Sequence, residues 1–217
     1  MPIRVILADD HNILRAGLKS LLDSFDGIDV IGEANNGRDT IALARKLDPD
    51  IIVMDVAMPD MNGVDATQRI AQLTPGIKVL ALSAHSDGVY VRGMLEAGAK
   101  GYLLKDAATA ELETAIRSVA SGKIYVSPSV TDTLVGDYLL RVKGTLGPDS
   151  QILSPREREV LQLVTEGKSS SQIAATLHLS DRTVESHRKR IMDKLDLRSI
   201  AELTKYAIRH GITSIEK

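Results

Sequence analysis

Four short apolar segments of this chain each end at a polar residue, and amphipathic helical patterns lie between them. The segments cover residues 3–8, 51–54, 79–82 and 101–104, and they are followed in turn by Asp9-Asp10, Asp55, Ser83 and Lys105. Strands that alternate with helices predict a parallel sheet. Because open sheets of this kind bind ligands at the edge where their strands end, we expect these polar residues to share one crevice.

The complete pattern predicts an α/β domain with five strands, followed by an all-α region. The predicted strands cover about 3–8, 28–34, 50–54, 77–82 and 100–104, with helices at about 12–24, 37–47, 63–72, 87–96 and 109–121. Apolar residues on consecutive positions in the third strand indicate a central strand covered on both faces. Right-handed crossovers then place helices on both sides of the sheet.

The pattern changes after Ser127. Ser127-Pro128 is typical of a helix start and predicts a helix to about residue 142, and the glycine- and proline-containing residues 143–150 predict a flexible linker. Only helices follow, at about 155–165, 169–176, 180–195 and 199–210. The second and third of these have helix-turn-helix spacing. We therefore expect domains at 1–121 and 151–217, joined by residues 122–150.

Composition excludes several classes of protein. The 217 residues contain no cysteine, which rules out disulfides, a cysteine nucleophile and a cysteine-based zinc site. No apolar run approaches the roughly 18 residues of a membrane span, and Asp9-Asp10 would interrupt a signal peptide, so we expect a soluble cytoplasmic protein without membrane insertion. The net charge is −5 for residues 1–151 and +3 for residues 152–217. This asymmetry is weak evidence that the C-terminal part binds nucleic acid.

The predicted acidic crevice suits phosphoryl chemistry. Carboxylates as close as Asp9, Asp10 and Asp55 repel, and a hard divalent cation such as Mg²⁺ relieves that repulsion through oxygen ligands. A carboxylate can then attack phosphorus, while Lys105 and Ser83 offer a charge and a hydroxyl donor to the phosphoryl oxygens. The simpler alternative is that Asp and Lys occur at strand ends only because those ends are exposed to solvent. This alternative explains any single position well, but it does not explain why all these polar residues lie at the ends of four strands.

Five motifs lie at or near the ends of the predicted strands: Asp9-Asp10-His11, Met54-Asp55-Val56-Ala57-Met58-Pro59, Asp60-Met61-Asn62-Gly63, Leu82-Ser83-Ala84 and Gly101-Tyr102-Leu103-Leu104-Lys105-Asp106. With these motifs, residues 1–121 resemble the receiver domain of bacterial two-component response regulators. This resemblance implies a flavodoxin-like doubly wound sheet of order 2-1-3-4-5. It also implies Asp55 as phosphoacceptor, with a sensor histidine kinase or a small-molecule phosphodonor as partner.

The resemblance assigns the remaining residues of the crevice. Mg²⁺ would be held by the side chains of Asp10 and Asp55, by the Ala57 carbonyl, and by Asp9 largely through water. Ser83 and Tyr102 would be the switch pair, with Tyr102 turning inward after phosphorylation, and Lys105 would contact the phosphoryl group. Tyr102 could instead be an ordinary half-buried strand aromatic. His11 and His85 lie near these motifs but receive no role.

The helix at 180–195 carries a mixed charge. Val184, His187, Ile191 and Leu195 share one face and predict packing, whereas basic residues face outward. Lys and Arg on a helix can contact phosphates or guanine edges in the major groove, although charge alone equally fits a solvated helix. The sequences of residues 153–161, 167–169 and 183–188 resemble the LuxR-type DNA-binding domain. With the receiver in front, the chain resembles a NarL/FixJ-type regulator.

This second resemblance implies the DNA and dimer contacts. The implied DNA-contacting residues are Arg182, Thr183, Ser186, Lys189 and Arg190, and the implied dimer contacts lie on the last helix at Leu203, Tyr206 and Ala207. The chain departs from the family in two places. It has Gln172 where relatives usually place Glu, which puts a local polar contact in doubt. It has Glu185 where some relatives place a basic residue, so base preference cannot be transferred.

The sequence therefore predicts a transcription factor that is not an enzyme apart from self-phosphorylation and self-dephosphorylation at Asp55. Phosphorylation is expected to release the C-terminal domain, form a homodimer and promote sequence-specific binding to double-stranded promoter DNA. A phosphatase with an Asp nucleophile is a weaker alternative, because such enzymes have Asp-x-Asp after the first strand. An autoinducer-sensing regulator would need a more aromatic pocket than one Phe, five Tyr and no Trp provide. A receiver that works without phosphorylation remains a third alternative.

Overall fold

The computed structural model describes residues 1–142 and 152–214. The chain divides into two compact units, Met1–Leu146 and Gly147–Lys217. The linker expected at 143–150 lies outside the described residues. Within the described ranges, no helix has the length and apolar character that a membrane crossing requires.

The first unit is a parallel sheet with helices on both faces. Its strands are β1 (Ile3–Ala8), β2 (Ile28–Ala34), β3 (Ile51–Asp55), β4 (Lys78–Ser83), β5 (Gly101–Leu104) and β6 (Tyr125–Val126), in the order β2-β1-β3-β4-β5-β6. Its helices are α1 (Asn12–Asp23), α2 (Gly37–Leu47), α3 (Gly63–Leu73), α4 (Gly88–Glu96), α5 (Ala108–Ala120) and α6 (Pro128–Val142), with a 3-10 turn at Lys105–Ala107. The predicted doubly wound α/β fold is confirmed.

Alternation along the strands creates two apolar cores, one on each face of the sheet. Ile6 of β1 belongs to one core, whereas its neighbours Val5 and Leu7 belong to the other. Every residue of β3 is buried, as its consecutive apolar residues predict. The sheet edge that carries the site is therefore held by strands covered on both sides.

The sheet has six strands rather than the predicted five. β6 pairs in parallel with β5, because the Tyr125 amide donates to the Lys100 carbonyl and the Ser127 amide donates to the Tyr102 carbonyl. A two-residue strand is too short to produce a detectable alternation, so the sequence pattern missed it. Val130 of α6 is also fully buried in the core of this unit. The unit thus extends beyond residue 121.

The second unit consists of helices around a separate core. They are α7 (Pro155–Thr165), α8 (Ser170–Leu177), α9 (Asp181–Leu195) and α10 (Ile200–Arg209). Reciprocal capping boxes at Ser154/Glu157, Ser169/Gln172 and Ser199/Glu202 start three of these helices. Gln172 therefore keeps the polar contact that its replacement of Glu put in doubt. The left-handed residue His178 begins the short turn between α8 and α9.

Candidate functional site

The site lies at the carboxyl edge of the sheet, where Asp9, Asp55 and Lys105 meet. Asp9 follows β1, Asp55 ends β3 and Lys105 follows β5. The Lys105 Nζ lies 2.9 Å from Asp9 Oδ2 and 2.8 Å from Asp55 Oδ2. Both carboxylates are almost fully buried, at 2% exposure. The predicted convergence of these residues is therefore present in the structure.

Burial and neighbouring charges oppose each other at Asp55. Burial raises its pKa to about 6, the Lys105 ammonium opposes this rise, and the Asp9 carboxylate adds to it. For Lys105, burial acts against the charged form, but Asp55 and Asp9 outweigh it and raise the pKa of the ammonium. Asp55 is therefore mainly ionised at neutral pH, as a carboxylate nucleophile must be.

The same edge gathers a set of groups with the chemistry of a cation site. One ligand atom from each of Asp9, Asp10, His11 and Asp55 lies within 4.8 Å of the others. His11 Nδ1 is 3.1 Å from Asp10 Oδ1 and 3.2 Å from Asp9 Oδ1, although its side chain is 64% exposed. The Ala57 amide donates to Asp55 Oδ1 at 3.3 Å. The three carboxylates form the all-oxygen donor set that suits Mg²⁺.

Arg15 of α1 supports the acid pair, and the sequence carried no signal for this role. Its Nη1 donates to the Asp9 carbonyl at 2.6 Å and its Nη2 donates to Asn12 Oδ1 at 2.9 Å. Its Nε donates to Glu33 Oε2 of β2 at 3.2 Å. These contacts tie the turn after β1 to a neighbouring strand. Arg15 therefore holds the main chain at Asp9, although it resembled an ordinary surface arginine in the sequence.

Gly63 is required at its position by the main chain of Asp55. A Cβ atom on Gly63 would lie 2.1 Å from the Asp55 carbonyl oxygen, far inside van der Waals contact. The Gly63 amide donates to the Val56 carbonyl at 2.9 Å, which draws the start of α3 against the end of β3. In the sequence, Gly63 is recognisable only as part of a motif at a predicted helix start. Its role is to allow this close approach.

We expect Gly63→Ala to destabilise the first unit by about 1–3 kcal/mol, because the added methyl group must displace backbone beside Asp55. Urea unfolding followed by circular dichroism measures the change. Gly17→Ala in α1 is the matched control, since a Cβ there meets nothing within 4 Å. That control should be neutral or stabilising by up to about 1 kcal/mol. Equal stabilities for the two variants would contradict the packing argument.

Ser83 and Tyr102 are linked through the segment after β4. Ser83 is fully buried at the end of β4, and its Oγ accepts a hydrogen bond from the His85 amide at 3.0 Å. The Tyr102 hydroxyl donates to the His85 carbonyl at 2.7 Å. Tyr102 is itself fully buried. The His85 ring stacks on Tyr90 with centroids 4.3 Å apart.

The α9 helix has one packed face and one exposed face, as predicted. Val184 and Ile191 are buried in the core of the second unit. Four of the candidate DNA-contacting residues are exposed: Arg182, Ser186, Lys189 and Arg190. Thr183 differs from them, because its amide and hydroxyl both engage Ser180 at the start of the helix. Its hydroxyl therefore contacts the residue that caps the helix start.

Two of the three residues expected at a dimer interface are buried within the second unit. Leu203 and Ala207 are 1% and 0% exposed, and both lie in the core of their own unit, where α10 packs against α7. An apolar i, i+4 pair indicates a packed face but not which partner packs against it. Tyr206 is half-buried and stacks on His210, with centroids 4.1 Å apart, and Ile200 is 52% exposed.

Comparisons with known proteins assign both units to families. Residues 5–117 match the response regulator receiver domain, and residues 151–207 match the bacterial regulatory proteins of the luxR family. The chain is similar to the transcriptional regulatory protein MctR of Rhizobium johnstonii, with 39% identity over 98% of this chain and 96% of that protein. It is also similar to the response regulator UvrY of Escherichia coli strain K12, with 37% identity over 99% and 97%.

Solved structures agree with this assignment. RcsB of Salmonella typhimurium has a TM-score of 0.65 and 27% identity, covering 96% of this chain and 98% of that chain. A complex of RcsB with DNA has a TM-score of 0.59 and 27% identity, covering 95% and 98%. The similarity extends over both units.

Proposed function

Because the chain belongs to the response regulators that join a receiver domain to a LuxR-type DNA-binding domain, we propose that phosphorylation of Asp55 controls its binding to DNA. The phosphoryl donor is a phosphohistidine of a cognate sensor histidine kinase, or a small molecule such as acetyl phosphate. The observation that carries the proposal is the Lys105 ammonium, which contacts the buried carboxylates of Asp9 and Asp55. The protein is a regulator, and self-phosphorylation and self-dephosphorylation are the only catalysis we assign to it.

The proposed chemistry is transfer of a phosphoryl group to a carboxylate. An Asp55 oxygen attacks phosphorus, and the bond from phosphorus to the donor nitrogen or oxygen breaks. The Lys105 ammonium donates to Asp55. It can therefore shift this contact from the carboxylate to the incoming phosphoryl oxygens and stabilise their negative charge. Ser83 is the last residue of β4, and it pairs with Leu104 of β5, the residue before Lys105. We therefore expect the Ser83 hydroxyl at the same edge of the sheet.

The carboxylate cluster fits Mg²⁺ as the cofactor. Asp10 and Asp55 would bind it through their side chains, Ala57 through its carbonyl, and Asp9 largely through water. A divalent cation bound there would offset the negative charge of the carboxylate and phosphoryl oxygens. This chain's own residues position the acids, because Arg15 donates to the Asp9 carbonyl and the Lys105 ammonium contacts both Asp9 and Asp55.

Phosphorylation would act through the segment between β4 and α4. It adds about −1.5 to −2 charges at Asp55, which attract the Ser83 hydroxyl and the Lys105 ammonium. Ser83 also accepts from the amide of His85, whose carbonyl binds Tyr102, so its movement disturbs this segment. The α4 helix packs against α6, the last helix of the first unit in the chain. We propose that this change releases residues 153–217 and permits a homodimer to form on DNA.

The test is to measure intact mass and oligomeric state after incubation with acetyl phosphate and Mg²⁺. We expect the wild-type protein to gain one phosphoryl group and to dimerise, and Asp55→Ala to do neither. A folded wild-type protein without the adduct would overturn the phosphoryl step and favour a regulator that works without phosphorylation. Continuous turnover of small phosphate esters would instead indicate a phosphatase.

We expect the exposed face of α9 to bind double-stranded DNA, with Lys189 contacting phosphate. Lys189→Ala should lower affinity for all sequences and reduce the slope of log affinity against log salt by about 1. Fluorescence anisotropy with promoter DNA at several salt concentrations measures this slope. Lys123→Ala is the control, because it removes an equal charge from an exposed position of the first unit. The expectation is wrong if both variants have the wild-type slope.

A further inference from the structure

Glu185 interrupts the basic exposed face of α9 with a negative charge. It lies three residues after Arg182 and four before Lys189, so all three share one side of the helix. An acid on a surface that approaches phosphates weakens binding to every DNA sequence. A carboxylate at this position therefore needs a compensating role if the face binds DNA.

The Glu185 carboxylate is held in place rather than free in solvent. Its Oε1 accepts hydrogen bonds from the Ser170 hydroxyl and from Arg188 Nη1, the latter at 2.9 Å. Arg188 Nη1 also lies 3.3 Å from Ser170 Oγ, which closes a triangle between the first residue of α8 and the middle of α9. The Ser170 hydroxyl, followed by the Arg188 guanidinium, lowers the pKa of Glu185, so the group is ionised at neutral pH.

The two carboxylate oxygens differ in their availability. Both contacts end on Oε1, and Oε2 accepts no hydrogen bond from the residues that the structure describes. The side chain is 56% exposed, whereas that of Arg188 is 27% exposed. Glu185 Oε2 is therefore a charged acceptor on the exposed side of α9. The contacts of Ser170 and Arg188 to Oε1 orient the carboxylate.

We infer that Glu185 determines base specificity by accepting a hydrogen bond from the N4 amino group of cytosine in the major groove. This inference rests on the proposed binding of DNA by α9. Of the bases, cytosine offers only a donor on its major-groove edge, and a carboxylate is the side chain that matches it. Thymine offers an acceptor and a methyl group there, and guanine offers two acceptors, so each would leave the carboxylate unpaired. Ser170 and Arg188 are positioning residues, because they act through Glu185.

Specificity and affinity should separate when Glu185 is changed. Losing the acid removes repulsion from phosphates, so non-specific affinity stays equal or rises, while discrimination at one base pair falls. Specificity is the difference between the affinities for two DNA sequences. An acid can therefore increase specificity even though it weakens binding to both sequences. A Glu185 that was merely a solvated surface charge would change affinity alone.

The experiment selects sites from a randomised double-stranded DNA library, using the full-length protein with acetyl phosphate and Mg²⁺. We expect the wild-type protein to prefer cytosine about 10-fold at one position of each half-site. Glu185→Ala should reduce that preference to about 2-fold or less while keeping the rest of the motif. Glu185→Gln should move it toward adenine, whose edge matches an amide.

Two further variants test the positioning residues, and a third variant serves as the control. Ser170→Ala leaves the Ser169 capping box in place but removes one contact to Glu185, and Arg188→Ala removes the other. Each should weaken the cytosine preference. Glu113→Ala removes an acid paired with Arg117 at 2.7 Å in the first unit, and it should leave the motif unchanged. Circular dichroism confirms that each variant is folded.

The outcomes separate this inference from the proposed function. If the wild-type protein selects no motif, the proposal that α9 reads DNA fails, and this inference fails with it. If the wild-type protein selects a motif that Glu185→Ala and Glu185→Gln both reproduce unchanged, the inference is overturned and DNA binding stands. Loss of preference at one position, with a shift toward adenine in the Gln variant, supports it.

Discussion

Replacing Lys105 by Met is expected to slow phosphorylation of Asp55 by about 100-fold or more, the typical cost of removing one preorganised charge from developing oxyanions. Methionine keeps most of the length of the side chain and removes the ammonium that lies within 2.9 Å of both buried carboxylates. The Asp9 and Asp55 carboxylates then face each other without this cation, and the phosphoryl oxygens lose its charge in the transition state. Time-resolved intact mass spectrometry with acetyl phosphate and saturating Mg²⁺ measures the rate.

Lys100→Met provides the matched control for this prediction. Lys100 lies just before β5, whereas Lys105 follows it, and its side chain is exposed. The substitution changes the charge equally within the same unit, at the opposite end of the strand. Its rate of phosphorylation should be close to wild type. Similar rates for the two variants would mean that Lys105 does not stabilise the transferred phosphoryl group.

The sequence was sufficient to predict the acidic site because parallel strands impose its geometry. Asp9, Asp55 and Lys105 are far apart in sequence, but each lies at the end of an apolar strand or directly after it, and all parallel strands end at one edge. The pattern therefore determined which residues meet. It did not determine how Lys105 divides its contacts between two carboxylates, because that depends on side-chain conformations that no periodicity encodes.

The features that the sequence missed depend on contacts between distant or very short segments. β6 has only two residues and is held by amide contacts of Tyr125 and Ser127 to the neighbouring strand. Glu111 of α5 adds a contact at this edge, since its Oε2 accepts from the hydroxyls of Tyr125 and Ser127 at 2.8 and 2.7 Å. The support that Arg15 gives to Asp9 also has no local signature. Such contacts require the tertiary structure.

The second unit illustrates a limit of periodicity itself. Leu203 and Ala207 were expected to pair two DNA-binding domains, yet they belong to the core of one domain. A helix that packs within its own domain and a helix that packs on a partner have the same apolar spacing. The exposed side of α10, which includes Ile200, is thus the better candidate for pairing.

We expect Leu203→Ala to destabilise the second unit by about 2–5 kcal/mol, because it creates a cavity in a buried core. Ile200→Ala should change stability by less than about 0.5 kcal/mol, since half of that side chain is already in solvent at the first position of α10. Urea unfolding of the full-length protein measures both effects. DNA binding by half-site and full-site duplexes then measures pairing of the domains.

The two variants should therefore affect DNA binding for different reasons. Leu203→Ala should weaken binding to half-sites and full sites alike, because the domain that carries α9 loses stability. Ile200→Ala should keep half-site binding and lose part of the advantage of a full site, since only pairing is affected. If Leu203→Ala were as stable as wild type and lost only full-site binding, Leu203 would lie at the interface after all. Its 1% exposure within the core argues for the opposite result.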